Sequence, residues 1–411
     1  MSIHIDLTHA GIRAEEIQAR RPAAQEALSR LWSGDLDFTG WVQAPHTFDD
    51  AQVQQLIDHA KEICAKSDVL VVLGVGGSFL GAKAVINLLQ PEEPQTQVLF
   101  AGYNFSGRYL RQILRGIQGK EVSLCVISKS GTTTETLSAY GVLKAWMLEK
   151  YGKEETADRT YVVTESRSNF LFDRATQEGC HLFDLPVNIG GRYSVLSPVG
   201  LLPIAVAGID VLAMMAGARI MASREAFAGD GLDYAIVRQA QYGKGKAMEI
   251  FAFFDPYLAS FGEWLKQLFG ETEGKDGKGI FPTSLFFSRD LHAMGQFLQQ
   301  GDQRFFETFV TVRQRPEDVT IPDLAVPPFA GKTLEEINGC AMAGVVEAHS
   351  KAGIPIIRME LDTLDAAAMG QLLYFFETQC AVSALLSGVD PFNQPGVEDY
   401  KRAMRGYLDR L

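Results

Sequence analysis

A chain of 411 residues, 46% hydrophobic and 21% charged, has the composition of a globular protein with large cores and room for two or three domains. Its net charge of -12 and the absence of a basic stripe argue against nucleic acid as a partner, although a few local donors suffice to hold a small anion. No apolar run reaches membrane-span length, and the opening "MSIHIDLTHAG" lacks the basic and apolar regions of a signal peptide, so no membrane association and a cytoplasmic location are expected.

Residues 1–40 are expected to form an N-terminal helical segment. The continuous apolar run "DVLVVLG" (68–74) then predicts a buried strand, and "SFLGAKAVINLL" (78–89) follows with helical spacing. "QVLFAG" (97–102), "VSLCVIS" (122–128) and "RTYVVTE" (159–165) predict further strands, separated by helices at 108–117 and after Thr132. Strands spaced by helices imply a parallel sheet covered on both faces. The glycine-rich, then apolar segment 190–210 breaks that rhythm and ends the first unit. After a helical stretch to about 228, a second α/β unit is expected to about 390. Its strands fall near 251–254, 308–312 and 355–359. The tail after "DPFNQPG" (390–396) has the pattern of one amphipathic helix. The expected division is 1–40, a first α/β unit 41–210, a second 211–391 and a C-terminal helix 392–411. Five cysteines lie far apart with no C-x-x-C pair, the pattern of reduced thiols rather than of metal ligands or disulfides.

"VLGVGGSFLG" (72–81) raises the question of a ligand. A dinucleotide fingerprint needs glycine where Phe79 stands, and a P-loop needs lysine where Ala82 follows Gly81. What remains is a strand, a glycine turn and a helix starting near Ser78, whose free N–H groups suit an anion. A tight turn with Ser78 as N-cap is the plain alternative. "VISKSGTTTET" (126–136) repeats the arrangement, with Lys129 and, after Ser128, five further hydroxyls around Gly131. Thr132 and Glu135 have the spacing of a capping box, but a cap needs one hydroxyl. The surplus fits a cradle for phosphate oxygens. Two such turns at the carboxyl edge of a parallel sheet suit a phosphomonoester on a small molecule.

Six ordered segments then carry a resemblance: "GVGGSFLGAKAV", "SKSGTTTETL", "GGRYSVLSPVGLLP", "KQLFGETEGKDGKG", "LHAMGQFLQQG" and "FNQPGVEDYK". From residue 74 to residue 401 the chain resembles the glucose-6-phosphate isomerase family in its shorter bacterial form. The resemblance implies an α/β fold of two sugar-isomerase domains, each a flavodoxin-like αβα sandwich with a parallel sheet, and a C-terminal helix. It implies interconversion of glucose 6-phosphate and fructose 6-phosphate through a cis-enediol, with no cofactor and no metal.

It also implies roles. Glu271 would be the base that moves a proton between adjacent carbons, and Gln267, one helical turn before it on the same side, would contact substrate. Lys275 could pair with Glu271 and hold it ionised. His292 would open the sugar ring, reaching in from the partner of a homodimer, and Lys401 would assist at the ring oxygen. Gln394 would contact phosphate, two turns from Lys401. Arg192 would stabilise the negative enediol. Ser78, Ser128, Ser130 and Thr133 would hold phosphate, with Lys129 beside them and Gly76 giving backbone access. The family often reads Ser-Lys-Thr-Phe-Thr-Thr where this chain has Ser130 and Gly131, which leaves the loop shape open, and Thr272 replaces the common serine after the base. Two alternatives stay open on sequence: an isomerase of wider sugar range, and a sugar-phosphate-binding regulator that kept the fold without the chemistry. The latter is disfavoured by the persistence of Glu271, His292, Lys401 and Arg192.

Overall fold

The structure, a computed structural model, describes residues 3–313, 318–324 and 327–410. Among the described residues there are ten strands: β1 (Ile3–Asp6), β2 (Val69–Leu73), β3 (Gln97–Ala101), β4 (Val122–Ile127), β5 (Thr160–Thr164), β6 (His181–Asp184), β7 (Met248–Phe253), β8 (Phe281–Phe286), β9 (Phe305–Val312) and β10 (Ile356–Leu361). They form two five-stranded sheets of order β3-β2-β4-β5-β6 and β1-β10-β9-β7-β8. Every pairing is parallel except that of β1 with β10.

The strands expected from sequence are present. Those at 251–254, 308–312 and 355–359 extend to Met248–Phe253, Phe305–Val312 and Ile356–Leu361. The central strands are legible because helices cover both faces, so every residue of "VLVVL", "VSLCVI" and "TYVVT" is buried. Three strands were not expected. The N-terminal segment opens with β1 before its helix Ala14–Ser33, and β1 zips onto the edge of the second sheet with Ile3 opposite Leu361. β6 alternates between half-buried and exposed residues at an edge, and β8 carries Pro282 at the other.

One hydrophobic core joins the two sheets. It runs from Leu70 and Val72 of β2 through Leu201, Trp264 and Leu268 to Phe251 and Phe253 of β7. The helix Ala366–Ser387 lies in the middle of it, buried on all sides from Ala368 to Ala384, and packs on the helices Val211–Met221, Ala14–Ser33, Asp233–Gly243 and Ala259–Glu273. The helix Ala259–Glu273 crosses the seam, packing on Leu80–Leu89 behind the first sheet and on β8 of the second. Asn87 reaches across to donate to the Ser260 hydroxyl at 2.6 Å. The loop at the carboxyl end of β2 therefore meets the end of this helix, which lies at the amino edge of the second sheet beside Pro282 at the start of β8.

Candidate active site

β2 runs into a 3-10 turn, Gly76–Ser78, before the helix Leu80–Leu89 begins. The helix thus starts two residues later than expected, and the Ser78 N–H is taken up by the Val75 carbonyl at 3.2 Å. Gly77 presses on the second glycine-rich turn, Gly191–Tyr193: a Cβ on Gly77 would stand 2.0 Å from the Gly191 carbonyl oxygen. A Cβ on Gly76 would stand 2.8 Å from the Gln267 amide nitrogen. The Gly76–Ser78 turn therefore touches both the segment that carries Arg192 and the helix that carries Glu271.

Glu271 lies in the last turn of the helix Ala259–Glu273, and the i, i+4 spacing holds: Gln267 Nε2 donates to Glu271 Oε1 at 3.1 Å. Gln394 Nε2 donates to the other carboxylate oxygen at 2.7 Å. Arg192 Nη1 stands 3.5 Å from that same oxygen, with the arginine side chain 1% exposed and the glutamate 30%. The carboxylate opens onto a cleft of about 380 Å³ lined by Gly270, Gly274, Lys275, Gln394 and Pro395.

The guanidinium is fixed from behind. Its Nε donates to the Thr272 hydroxyl at 2.7 Å, and its Nη2 donates to the Pro391 carbonyl. Thr272 also shares a hydrogen bond of 3.1 Å with the Tyr193 hydroxyl, whose ring lies 5.4 Å from the guanidinium carbon. The end of the helix is pinned in turn. Buried Glu273 pairs with fully buried Arg238, which also donates to Glu249 Oε2 at 2.7 Å and to the Ser383 hydroxyl at 2.6 Å. Tyr234 and Thr308 each donate to Glu249 Oε1 at 2.6 Å. Buried ions persist when paired and hydrogen-bonded in this way, and the knot sets where the helix that carries Glu271 stops.

Two expected contacts are not formed. Lys275 does not pair with Glu271; it donates to the Asp390 carbonyl. Gly274 ends the helix at φ -73°, ψ 71°, so an i, i+4 argument no longer applies to Lys275. Burial and the neighbouring Arg192 lower its pKa to about 8. Lys401 does not share a site with Gln394. Gln394 precedes the helix Pro395–Leu408, with φ -147°, so counting turns from it fails, and Lys401 donates to Glu398 at 2.9 Å on the exposed side. Gln394 itself is on the Glu271 carboxylate. His292 is exposed at the start of the helix Leu291–Gln300, and among the described residues no hydrogen bond or ion pair joins it to Glu271 or Arg192.

The hydroxyl loop after β4 holds together by pairs: Ser128 with Thr133 at 2.9 Å, and Ser130 with Thr132 at 3.1 Å. Thr133 is the N-cap of the helix Thr134–Asp158 and makes no side-chain cap bond, so Thr132 and Glu135 form no capping box. Gly131 takes φ 66°, and a Cβ there would stand 1.8 Å from Asn169 Oδ1, so only glycine fits. Thr164 fixes the same loop by donating to the Ser128 carbonyl at 2.8 Å. Lys129 is turned to the carbonyls of Val187 and Ile189, at 2.9 and 2.8 Å, with Glu165 at 3.7 Å. Burial lowers its pKa. Ser78 has no side-chain hydrogen bond among the described residues, so its hydroxyl is uncommitted.

Thr272, Tyr193, Arg238 and Glu273 stand behind Arg192 and Glu271, and residue patterns assigned none of them a role. Each is far in sequence from its partners, and only the position of Thr272 and Glu273 beside Glu271 offered a signal. Among the described residues no group of His, Cys, Asp or Glu is arranged to hold a metal ion.

Two mainly parallel sheets, a pair of strand-to-helix loops and a carboxylate faced by a fixed guanidinium define an α/β protein of the sugar-isomerase class. The chain matches the phosphoglucose isomerase family model over residues 59–281. All of it aligns with the glucose-6-phosphate isomerase of Heliobacterium modesticaldum at 41% identity, covering 96% of that protein. Among solved structures, a hypothetical protein of Thermus thermophilus superposes with TM-score 0.89 at 26% identity, over 99% of both chains. A glucose-6-phosphate isomerase of Chlamydia trachomatis shares the fold, with TM-score 0.84 at 17% identity over all of this chain and 89% of that one. The chain belongs to the phosphoglucose isomerase family.

Proposed function

We propose that this site interconverts glucose 6-phosphate and fructose 6-phosphate, a step of glycolysis and gluconeogenesis. The observation that carries the reading is the Glu271 carboxylate, held by two amides and faced at 3.5 Å by a buried guanidinium at the seam of the two sheets. Such a carboxylate takes a proton from C2 of the open-chain aldose and returns it to C1, while the hydroxyl and carbonyl oxygens exchange one proton. The sugar is its own oxidant and reductant, so the balance needs no external electron carrier. Arg192 lowers the energy of the enediolate because its charge is already in place when the oxyanion forms.

The phosphate is taken by Ser78, Ser128, Ser130 and Thr133, with backbone access at Gly76. Lys129 braces the loop through the 187–189 carbonyls. Gln267 and Gln394 orient the base. Ring opening falls to His292 and Lys401, which in one chain do not reach Glu271. We therefore assign the active unit to a homodimer in which the partner subunit supplies the histidine. Support comes from His292's own helix, where Met294 and Phe297 are exposed, and from the helix Pro395–Leu408, which buries no residue while exposing Tyr400 and Tyr407. A helix with no buried face is marginal in water unless something covers it. The two sheets are taken as two sugar-isomerase units, 41–210 and 211–391. Free thiols at all five cysteines fit a reducing cytoplasm, and among the described residues no helix is long and apolar enough to cross a membrane.

The test is a coupled assay with fructose 6-phosphate, comparing the chain with Glu271→Gln. The variant should lose about 10²- to 10⁴-fold in kcat, the ordinary worth of a positioned base. A native chain without turnover overturns the isomerase reading. A variant as active as the native chain overturns only the assignment of the base.

A further inference from the structure

We propose that Thr272 is a positioning residue whose hydroxyl, together with that of Tyr193, aims Arg192 at the enediolate. The proposal rests on the isomerase reading of the site.

A guanidinium offers five N–H donors in a rigid fork. Here the rear of the fork is occupied: Nε by Thr272 Oγ1 at 2.7 Å and Nη2 by the Pro391 carbonyl. Nη1 is left on the side of Glu271. Both rear anchors are neutral oxygens. A carboxylate in either place would orient the arginine equally well but would neutralise it before any oxyanion forms. Neutral anchors fix direction and leave the charge for the reaction. The only carboxylate within ion-pair distance of Arg192 among the described residues is the base itself.

Thr272 directly follows the base on the same helix end, so one segment sets the position of both the proton acceptor and the cation that answers it. Tyr193 completes the bracket. Its hydroxyl meets Thr272 at 3.1 Å, and its ring stacks on Trp41 with centroids 4.7 Å apart and an interplanar angle of 17°. Thr272, Tyr193 and Arg192 are each buried, so none of these bonds competes with bulk water. Burial holds the Tyr193 hydroxyl in its protonated form, its pKa raised well above the usual phenol value. A threonine with a purely structural role would fill the same space but would not matter to the transition state.

Thr272→Val keeps the shape and removes the hydroxyl, Thr272→Ser keeps the hydroxyl, and Tyr193→Phe removes only the second hydroxyl. Loss of an anchor for a buried charged donor should lower kcat about 30-fold in Thr272→Val, with KM within about twofold. Thr272→Ser should restore most of kcat, and Tyr193→Phe should repeat the kcat pattern more weakly. Two inhibitors separate aiming from folding. A phosphorylated aldonohydroxamate, whose adjacent oxygens mimic the enediolate, should bind Thr272→Val more weakly by the same factor as the loss in kcat/KM. A hexitol 6-phosphate, which has the phosphate and no carbonyl, should bind as to the native chain. Native kcat in both Thr272→Val and Tyr193→Phe, or equal weakening of both inhibitors, overturns the proposal. Should Thr272→Val not fold, Tyr193→Phe carries the same test. Failure of the isomerase reading is distinct, since it would show as a native chain without turnover.

Discussion

Replacing Gly77 by alanine tests how the two glycine-rich turns align the site. A Cβ there would stand 2.0 Å from the Gly191 carbonyl oxygen, 2.3 Å from its carbon and 2.9 Å from the Arg192 amide nitrogen. Ordinary contact for a Cβ begins at 3.4 Å, so the turns must separate by about 1.4 Å, the difference of 3.4 and 2.0. All three obstructing atoms are backbone, and no rotamer change relieves them. The strain should cost about 1–3 kcal/mol of stability. The larger effect is on chemistry, because Gly191 directly precedes Arg192, and a displacement of about 1 Å in a catalytic group costs about 10²-fold. Steady-state isomerisation coupled to a dehydrogenase gives kcat, and thermal melting gives stability. Gly141→Ala is the control: it lies exposed within the helix Thr134–Asp158 with nothing within 4 Å of its Cβ position. It should leave kcat alone and stabilise by up to about 1 kcal/mol. A Gly77→Ala protein with native kcat refutes the claim that this contact aligns Arg192.

Ser78→Ala should raise KM about tenfold with kcat nearly unchanged, since the phosphate lies away from the reacting carbons and one bond to a charged group is lost. A fall in kcat at constant KM would count against Ser78 as a phosphate contact. Glu271→Gln and His292→Ala homodimers, each weak alone, should on mixing and exchange recover about a quarter of native activity, because half the dimers become mixed and each mixed dimer has one intact site. No recovery after verified exchange would place His292 outside the partner's site. Lys275 titrates near 8 in the folded chain against an ordinary value near 10.5. Between those values the unfolded chain binds more protons, so this group's destabilising effect is full below about pH 8 and relieved as pH rises toward 10.5. The stability of the native chain should therefore gain on that of Lys275→Met over pH 8–10.5 in denaturant titrations; parallel curves would refute the shift.

The sequence by itself determined the alternating strands and helices of the first unit. Continuous runs such as "VLVVL" have no other use than burial between two helical layers. It also determined Gln267 and Glu271 as a pair, since four residues within one helix always bring side chains to one face. The same local rule misled where a helix had stopped. Lys275 lies past Gly274 and Gln394 lies before Pro395, so their side chains went to Asp390 and to Glu271 rather than to the partners that spacing suggested. β1 could not be found locally because its partner β10 is more than 350 residues away and a four-residue strand carries little pattern.

What only the tertiary structure decided is the direction of the charges. Arg192, Thr272 and Pro391 come from three distant parts of the chain, and no periodicity relates them. The Arg238 knot with Glu249 and Glu273 is likewise assembled across two helices and a strand. Local backbone geometry is set by short-range sterics and can be read from neighbouring residues. The aim of a buried guanidinium is set by whichever oxygens the packed core brings behind it, and that is settled only when the two sheets close on one another.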